Sequence, residues 1–273
     1  MPFKSHLARS IDLRLPSNLA LIALVVVAAG VGMLLWLNGT PAAVLLAPVH
    51  VFLSWALLRE IDPDHPLTAP VGGAIAGAWV LTGGETVSAF AVVGLLIGAR
   101  LITDSTGRRP LTLDLWVVAF VGIAIGFSVE GWVAGFGVAV AIYVDHRLGE
   151  VGGPLAVPLS ALAALGTTIV ASLTDTFPRV VPDVIPYMTV AAGVAALLLL
   201  SRDPVKPTSR VDARHASLLD HARLQASRSL TAVLVFVMTI LTGAEAKGMM
   251  PLIAALTLAV VSNELELVRR RTR

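Results

Sequence analysis

Residues 18–37 read NLALIALVVVAAGVGMLLWL and form an apolar run without a charged side chain. A helix of about 20 apolar residues spans the hydrocarbon core of a bilayer. The run is also longer than the apolar core of a signal peptide, which has about 7 to 15 residues. Lys4, Arg9 and Arg14 precede it. We therefore predict a first membrane helix that is retained rather than cleaved.

The composition of the whole chain favours the same class of protein. Of 273 residues, 56% are hydrophobic and 14% are charged, and the mean hydropathy is +0.84. Soluble domains carry about 25% charged residues. These values predict an all-α, polytopic transmembrane protein, multi-pass in the cell inner membrane. The chain has no cysteine, which excludes disulfides, thiolate metal sites and cysteine nucleophiles.

Further apolar runs follow along the chain, and together with the first they predict ten transmembrane helices. About six lie in an N-terminal part, residues 1–150. The other four lie in a C-terminal part, residues 151–273, which also carries a basic cytoplasmic loop at 201–229. The predicted spans are 18–37, 42–58, 67–81, 87–102, 113–129, 132–144, 155–173, 184–200, 230–241 and 249–261.

Basic residues are distributed unevenly between the two sides of this ten-helix arrangement. With a cytoplasmic N-terminus, all of the 20 Lys and Arg residues except Arg179 and Lys247 lie on the cytoplasmic side. Basic residues in short loops favour that side. The distribution therefore predicts that both termini are cytoplasmic. It also accounts for the pI near 9.4, so no nucleic-acid partner is predicted.

Two short stretches place ionisable residues at the ends of predicted spans. Residues 171–187 read ASLTDTFPRVVPDVIPY, in which Asp175 opens the pattern D-x-x-x-R-x-V-P-D. Residues 241–252 read LTGAEAKGMMPL, in which Glu245 lies within G-A-E-A-K. Ionisable residues at the edge of a membrane segment indicate a functional site by default. The two stretches are therefore predicted to form one site on the outer face.

These motifs resemble those of the prepilin and preflagellin peptidases, which are membrane aspartic proteases with the patterns D-x-x-x-R-x-I-P-N and G-A-D-A-K. The resemblance covers roughly residues 158–261, and the family has its motifs at the cytoplasmic side. It implies a catalytic carboxylate pair, in which one group is ionised and activates water while the other is protonated. Glu245 replaces the second aspartate, which implies impaired catalysis. The residues implied are Asp175 and Glu245 as the pair, with Arg179 and Lys247 as charge partners.

Two alternatives from other functional classes remain open. Ten spans with both termini inside, and a Gly-x-Glu sequence at Glu85 and again at Glu245, loosely resemble the drug/metabolite transporter superfamily. That resemblance implies a small-solute transporter or permease in which the two glutamates bind a proton or a cation and Asp175 lies at the mouth of a cavity. The other alternative is a non-catalytic membrane subunit of a complex.

The longest polar stretch, residues 201–229, separates two predicted spans. Apolar residues in 211–227 recur at spacings near three and four, which predicts a basic interfacial helix. Such a helix binds anionic membrane lipids or a cytoplasmic or membrane protein partner. The alternative is a linker held at the membrane surface by its basic residues.

Residues 59–66 read REIDPDHP and lie in a predicted cytoplasmic loop. Asp62, Asp64 and His65 are candidate metal ligands, because carboxylate oxygens suit Mg²⁺ or Ca²⁺ and a neighbouring imidazole suits Zn²⁺. The alternative is a turn fixed by its two prolines, whose carboxylates cap the next helix.

Three further carboxylates, Asp114, Glu130 and Asp145, lie near predicted helix ends. We predict that they are helix caps or are solvated in the headgroup region. The glycines of 122–137 predict close helix packing. The chain has no P-loop, dinucleotide fingerprint, nucleophile elbow or H-E-x-x-H motif, and no cofactor is predicted.

Overall fold

A computed structural model of the chain describes residues 15–39, 43–84, 88–106, 110–149, 153–176 and 218–242, together with 191, 193, 195, 209, 251–254, 256, 257 and 261. This part of the protein is helical and has no strand, which confirms the predicted all-α class. The helices are α1 (Pro16–Leu37), α2 (Ala43–Ile61), α3 (Thr68–Leu81), α4 (Ala89–Thr103), α5 (Thr112–Ala124), α6 (Val129–Gly149), α7 (Ala156–Leu173) and α8 (His221–Thr242).

The helices α1 to α7 alternate in direction, and charged side chains gather at one end of the bundle. There, the C-terminal turn of α2 contacts the start of α1, where Arg59 Nη1 donates to Asn18 Oδ1 at 2.7 Å. The first turn of α8 contacts the last turns of α4 and α6, because Arg223 Nη1 donates to Ile102 O at 3.0 Å and to Asp145 Oδ1 at 2.7 Å. We refer to this end, with the C-termini of α2, α4 and α6, as the polar end.

The opposite end of the bundle holds the C-termini of α7 and α8. Thr176, just after α7, donates its hydroxyl to Gly126 O at 3.2 Å, close to the start of α6. α8 runs antiparallel to α6, because Arg223 contacts the last turns of α6 whereas Leu234 packs against Gly137 further back along it. The two stretches with the peptidase-like motifs therefore begin at the same end of the bundle.

Each span predicted before residue 176 coincides with one of the helices α1 to α7. The predicted span 113–129 is shorter as a helix, because α5 ends at Ala124 and a 3-10 turn, Ile125–Phe127, follows. Ser128 then caps α6, since its Oγ accepts a hydrogen bond from Gly131 N–H at 2.9 Å. The predicted spans 184–200 and 249–261 lie largely outside the described residues.

The last described helix, α8, begins nine residues earlier than its predicted span, at His221 instead of residue 230. Asp220 sets this start, because its Oδ1 accepts a hydrogen bond from Arg223 N–H at 3.0 Å, as an N-cap aspartate does. Residues 221–229 thus form the first turns of α8 and are not part of a loop. Residues 211–217 of the predicted interfacial helix lie outside the described part.

Among the described residues, four helical segments are long and apolar enough to cross a membrane: Pro16–Leu37, Val44–Ile61, Gly153–Leu173 and His221–Leu241. α1 buries few of its side chains and leaves Val26, Leu34 and Leu37 more than half exposed. Exposed apolar surface of this extent marks a region that contacts lipid or another protein. Length and composition therefore support the prediction of a membrane protein.

Small residues allow α5, α6 and α7 to pack closely, as predicted from the glycines of 122–137. A Cβ at Gly135 would overlap Gly122 O and lie 2.7 Å from Thr167 Cγ2. Thr167 is fully buried, and its hydroxyl donates to Gly122 O at 3.0 Å and to Ala163 O at 2.7 Å. Backbone contact between helices, rather than interlocking large side chains, therefore holds this part of the bundle together.

Candidate functional site

Asp175, the first residue of the predicted carboxylate pair, lies in an exposed turn directly after α7. Its φ is 53°, in the left-handed region that aspartate adopts more readily than most residues. Thr176 N–H donates to Ala171 O at 2.9 Å and closes the turn. The other three residues implied by the resemblance, Arg179, Glu245 and Lys247, lie outside the described residues, as does Glu85.

Two of the three candidate metal ligands after α2 contact each other, and the third has a different partner. His65 Nδ1 and Asp62 Oδ1 are hydrogen-bonded at 2.8 Å. Asp64 Oδ1 instead accepts a hydrogen bond from Ser209 N–H at 2.8 Å, and the Ser209 hydroxyl donates to Pro63 O at 2.9 Å. Within the described part of the chain, no three His, Asp or Glu side chains come close enough to hold a metal ion. The loop 62–65 is thus fastened to a segment far away in sequence.

The end of α2 is joined to the end of α4 by a buried carboxylate. Glu60 has 2% of its surface exposed. Arg100 Nε donates to Glu60 Oε1 at 3.0 Å, and the Thr103 hydroxyl approaches Glu60 Oε2 at 3.4 Å. A hydrogen bond between two ionised groups is shorter and stronger than one between neutral groups. This pair therefore fixes the relative position of α2 and α4 at the polar end.

A second buried carboxylate, Asp62, lies beside α8. Asp62 is 2% exposed, and its Oδ1 lies 3.9 Å from Nη2 of Arg228, which is itself 5% exposed. Arg228 Nε also donates to Ile61 O at 2.7 Å, which provides a partner for a carbonyl at the C-terminus of α2. Arg228 thus connects α8 to α2 by an ion pair and by a backbone hydrogen bond.

The third buried carboxylate corrects two predictions. Asp145, predicted to be a cap or to be solvated by the headgroup region, is 3% exposed and pairs with Arg223 at 2.7 Å. Arg223, predicted to lie in a surface segment, is 9% exposed. The predictions failed because the partners lie on helices far apart in sequence. Asp114, in contrast, is a cap as predicted, since its Oδ2 accepts from Leu111 N–H at 3.0 Å.

Together these side chains form a set of ion pairs at the polar end. Its three carboxylates are each within ion-pair distance of a different arginine, so the formal charges of these six side chains cancel. Moving such ions out of water costs several kcal/mol per ion, by order of magnitude, which their attraction and hydrogen bonds must offset. We refer to this set as the polar cluster; its members are Glu60, Asp62, His65, Arg100, Asp145, Arg223 and Arg228.

Sequence reasoning did not identify four members of the cluster as functional candidates: Arg100, Asp145, Arg223 and Arg228. One signal was available, because each lies in the last or first turns of an apolar segment, where a buried charge needs a partner. The sequence does not say which partner each one has. No family model, curated protein or solved structure matches this chain.

Proposed function

We propose that the chain is a multi-pass membrane transporter for a small solute, and that the polar cluster is the gate at its cytoplasmic end. One observation carries this proposal. Three buried carboxylates, on or next to α2 and α6, pair with arginines of α4 and α8 at one end of apolar helices. Ionisable groups in membrane helices are rare, pair with one another and mark substrate or ion pathways, so a functional role is the default interpretation.

The orientation in this proposal is supported by the distribution of the basic residues. Every described arginine lies at the polar end, whereas the described residues include no lysine; these arginines are Arg59, Arg100, Arg147, Arg223 and Arg228. Because basic residues near the ends of membrane helices favour the cytoplasmic side, we assign the polar end to the cytoplasm. The opposite end, with Asp175, then faces outward, which agrees with the ten-helix prediction.

A gate made of ion pairs has an energetic advantage over an apolar one. Separating two apolar surfaces exposes them to water at a cost of about 25 cal/mol per Å². Separating a buried ion pair exchanges protein partners for water, and the desolvation cost of the closed state is recovered on opening. Closed and open states of the cluster can therefore have similar free energies, as alternating access requires.

α8 is the element whose displacement would open the gate. Near its start, Arg223 contacts the last turns of α4 and α6, and Arg228 contacts the end of α2. Between them, the buried Ser227 hydroxyl lies 3.3 Å from Ala99 O of α4. A small shift of the first two turns of α8 would separate all of these contacts at once. Such helix shifts at packed interfaces are a common form of switching.

Neutralising Asp145 is expected to open the polar end and to close the opposite end. Asp145→Asn keeps the size of the side chain but removes the charge that binds Arg223, so the closed state loses its ion pair. Because the chain has no cysteine, Ser227→Cys and Thr176→Cys can each be the single reactive thiol. We expect a membrane-impermeant maleimide to label position 227 several-fold faster in inside-out vesicles, and position 176 more slowly in right-side-out vesicles.

The reciprocal change distinguishes a gate from a loosened structure. Faster labelling at position 227 with an unchanged rate at position 176 would show that the cluster only stabilises its own end. Arg147→Gln is the matched control, because Arg147 is an exposed arginine at the same end of α6. It should leave both labelling rates unchanged.

A peptidase-like function is a second candidate, favoured by one specific observation. α7 and α8 both end at the opposite end of the bundle. Asp175 therefore lies on the side at which the stretch that contains Glu245 begins. Catalysis would need the two carboxyl groups to share a water molecule, with Arg179 and Lys247 balancing their charge. The assigned orientation puts this site outside the cell. A measured separation too large for a shared water would exclude this function.

A further inference from the structure

A histidine lies buried in α2, well away from the polar cluster. His50 is 5% exposed, and it shares a helix face with the buried residues Ala47 and Ser54. Its Nε2 makes no hydrogen bond within the described structure. Buried polar atoms without a partner are rare and call for an explanation. Apolar packing gives no reason to keep an imidazole at this position.

No other charged or titratable side chain on the described helices around α2 lies near the level of His50. α2 packs against α1, α3, α4 and α8. α1 and α3 carry no such group, and Glu60, at the polar end, is about 15 Å further along α2, or ten residues at 1.5 Å each. The charged and titratable side chains on the described parts of these helices all lie toward the polar end: Arg59, Glu60, Arg100, His221, Arg223 and Arg228.

Pro48 interrupts the backbone hydrogen bonding of α2 two residues before His50. Proline has no N–H, so the carbonyl of Val44 loses its partner within the helix. α2 is continuous from Ala43 to Ile61, and neighbouring groups can bind a carbonyl that a proline leaves without its helical partner. The unpartnered ring nitrogen of His50 and this proline therefore lie within one turn of α2.

We propose that His50 is the proton-binding site that couples proton movement to the opening of the polar cluster, an inference that rests on the proposed function. Neutral imidazole has one ring nitrogen with a free lone pair. A proton from hydronium binds there, the N–H bond forms as an O–H bond breaks, and water is released. A buried imidazolium without a partner is unfavourable. Protonation therefore favours the conformation in which water reaches His50.

The position of His50 sets the direction of this effect. It lies closer to Ala43, where α2 begins at the opposite end, than to Ile61, where α2 ends at the polar end. Water therefore has the shorter path to His50 from the opposite end. Protonation should open that end and, through alternating access, keep the polar cluster closed.

The test uses the full chain with Ser227→Cys and Asp145→Asn in inside-out vesicles. We expect the labelling rate at position 227, corrected for the pH dependence of the thiol with a model thiol, to fall several-fold as the pH drops from about 8 to about 5, the range in which histidine titrates. His50→Gln should abolish the fall. The matched control His146→Gln, on α6 at the polar end, should leave it intact. A fall that persists in His50→Gln would overturn the proposal.

A direct measurement separates this proposal from the proposed function. We expect one of the imidazole ¹⁵N NMR signals of the reconstituted protein to titrate within this pH range and to be absent from the spectrum of His50→Gln. If His50 does not titrate there, the coupling proposal is wrong, even when positions 227 and 176 respond reciprocally to Asp145→Asn. If His50 titrates but the reciprocal response is missing, the gate and the coupling both fail, and His50 is only a buried titratable group.

Discussion

Replacing Arg223 with methionine is expected to lower the free energy of unfolding by about 3–5 kcal/mol, the cost typical of removing one partner of a buried ion pair. Arg223 Nη1 donates to Asp145 Oδ1 at 2.7 Å and to Ile102 O at 3.0 Å. Methionine fills a similar apolar volume but donates no hydrogen bond. The buried carboxylate and the carbonyl then lose a donor in a place with little access to water.

Denaturant titration of the purified protein in detergent micelles measures this loss. Arg147→Met is the matched control, because Arg147 is exposed on the last turn of α6. Such surface changes usually alter stability by less than about 0.5 kcal/mol. Adding Asp145→Leu to Arg223→Met should restore most of the lost stability, because no buried charge of this pair remains. A loss below about 1 kcal/mol for Arg223→Met would mean that the pair is solvated.

The second large effect is expected from Gly135→Ala in α6. The new methyl group would overlap Gly122 O of α5, and it would lie 2.7 Å from Thr167 Cγ2 of α7. Gly122 O is a backbone atom, and Thr167 is a fully buried side chain held by two hydrogen bonds, so neither group can move away easily. α5, α6 and α7 would have to separate. Overpacking of this kind costs about 1–3 kcal/mol, and more where the backbone cannot move.

Gly98→Ala provides the comparison for this prediction. Gly98 lies on α4 and faces α6, where a Cβ would lie 3.5 Å from Ala141 Cβ, an ordinary contact distance. Alanine favours helix over glycine by up to about 1 kcal/mol. The same unfolding measurement should therefore find Gly98→Ala neutral or stabilising. Equal losses for the two variants would show that the close approach of α5 and α6 does not hold in solution.

The helices could be predicted from the sequence because apolar length is a local property. The runs before residue 176 each coincide with a helix. The start of α8 was missed because Arg223 and Arg228 look solvated in the sequence, while their partners, the Asp145 carboxylate and the Ile61 carbonyl, lie 78 and 167 residues away. Only the tertiary structure brings these groups together. A polar stretch next to an apolar run therefore does not by itself mark a loop.

The candidate site could be predicted only in part, for the same reason. The loop 59–66 was recognised from its density of carboxylates, and Asp62 with His65 does belong to the polar cluster. The carboxylates of this loop pair with arginines on α4 and α8. No local sequence pattern indicates those partners. His50 carries no sequence signal either, since a histidine in an apolar run can be exposed or buried, and partnered or not.

The central claim is that the polar end opens as a gate, and the distance between α3 and α8 at that end tests it most directly. Leu67 lies directly before α3, and Leu218 lies three residues before α8. Both side chains are exposed, and neither belongs to the polar cluster. Spin labels on Leu67→Cys and Leu218→Cys in the reconstituted full chain allow the distance distribution to be measured by pulsed electron paramagnetic resonance. The account predicts two distances, with the longer one gaining population in Asp145→Asn. A single distance that Asp145→Asn leaves unchanged would contradict it.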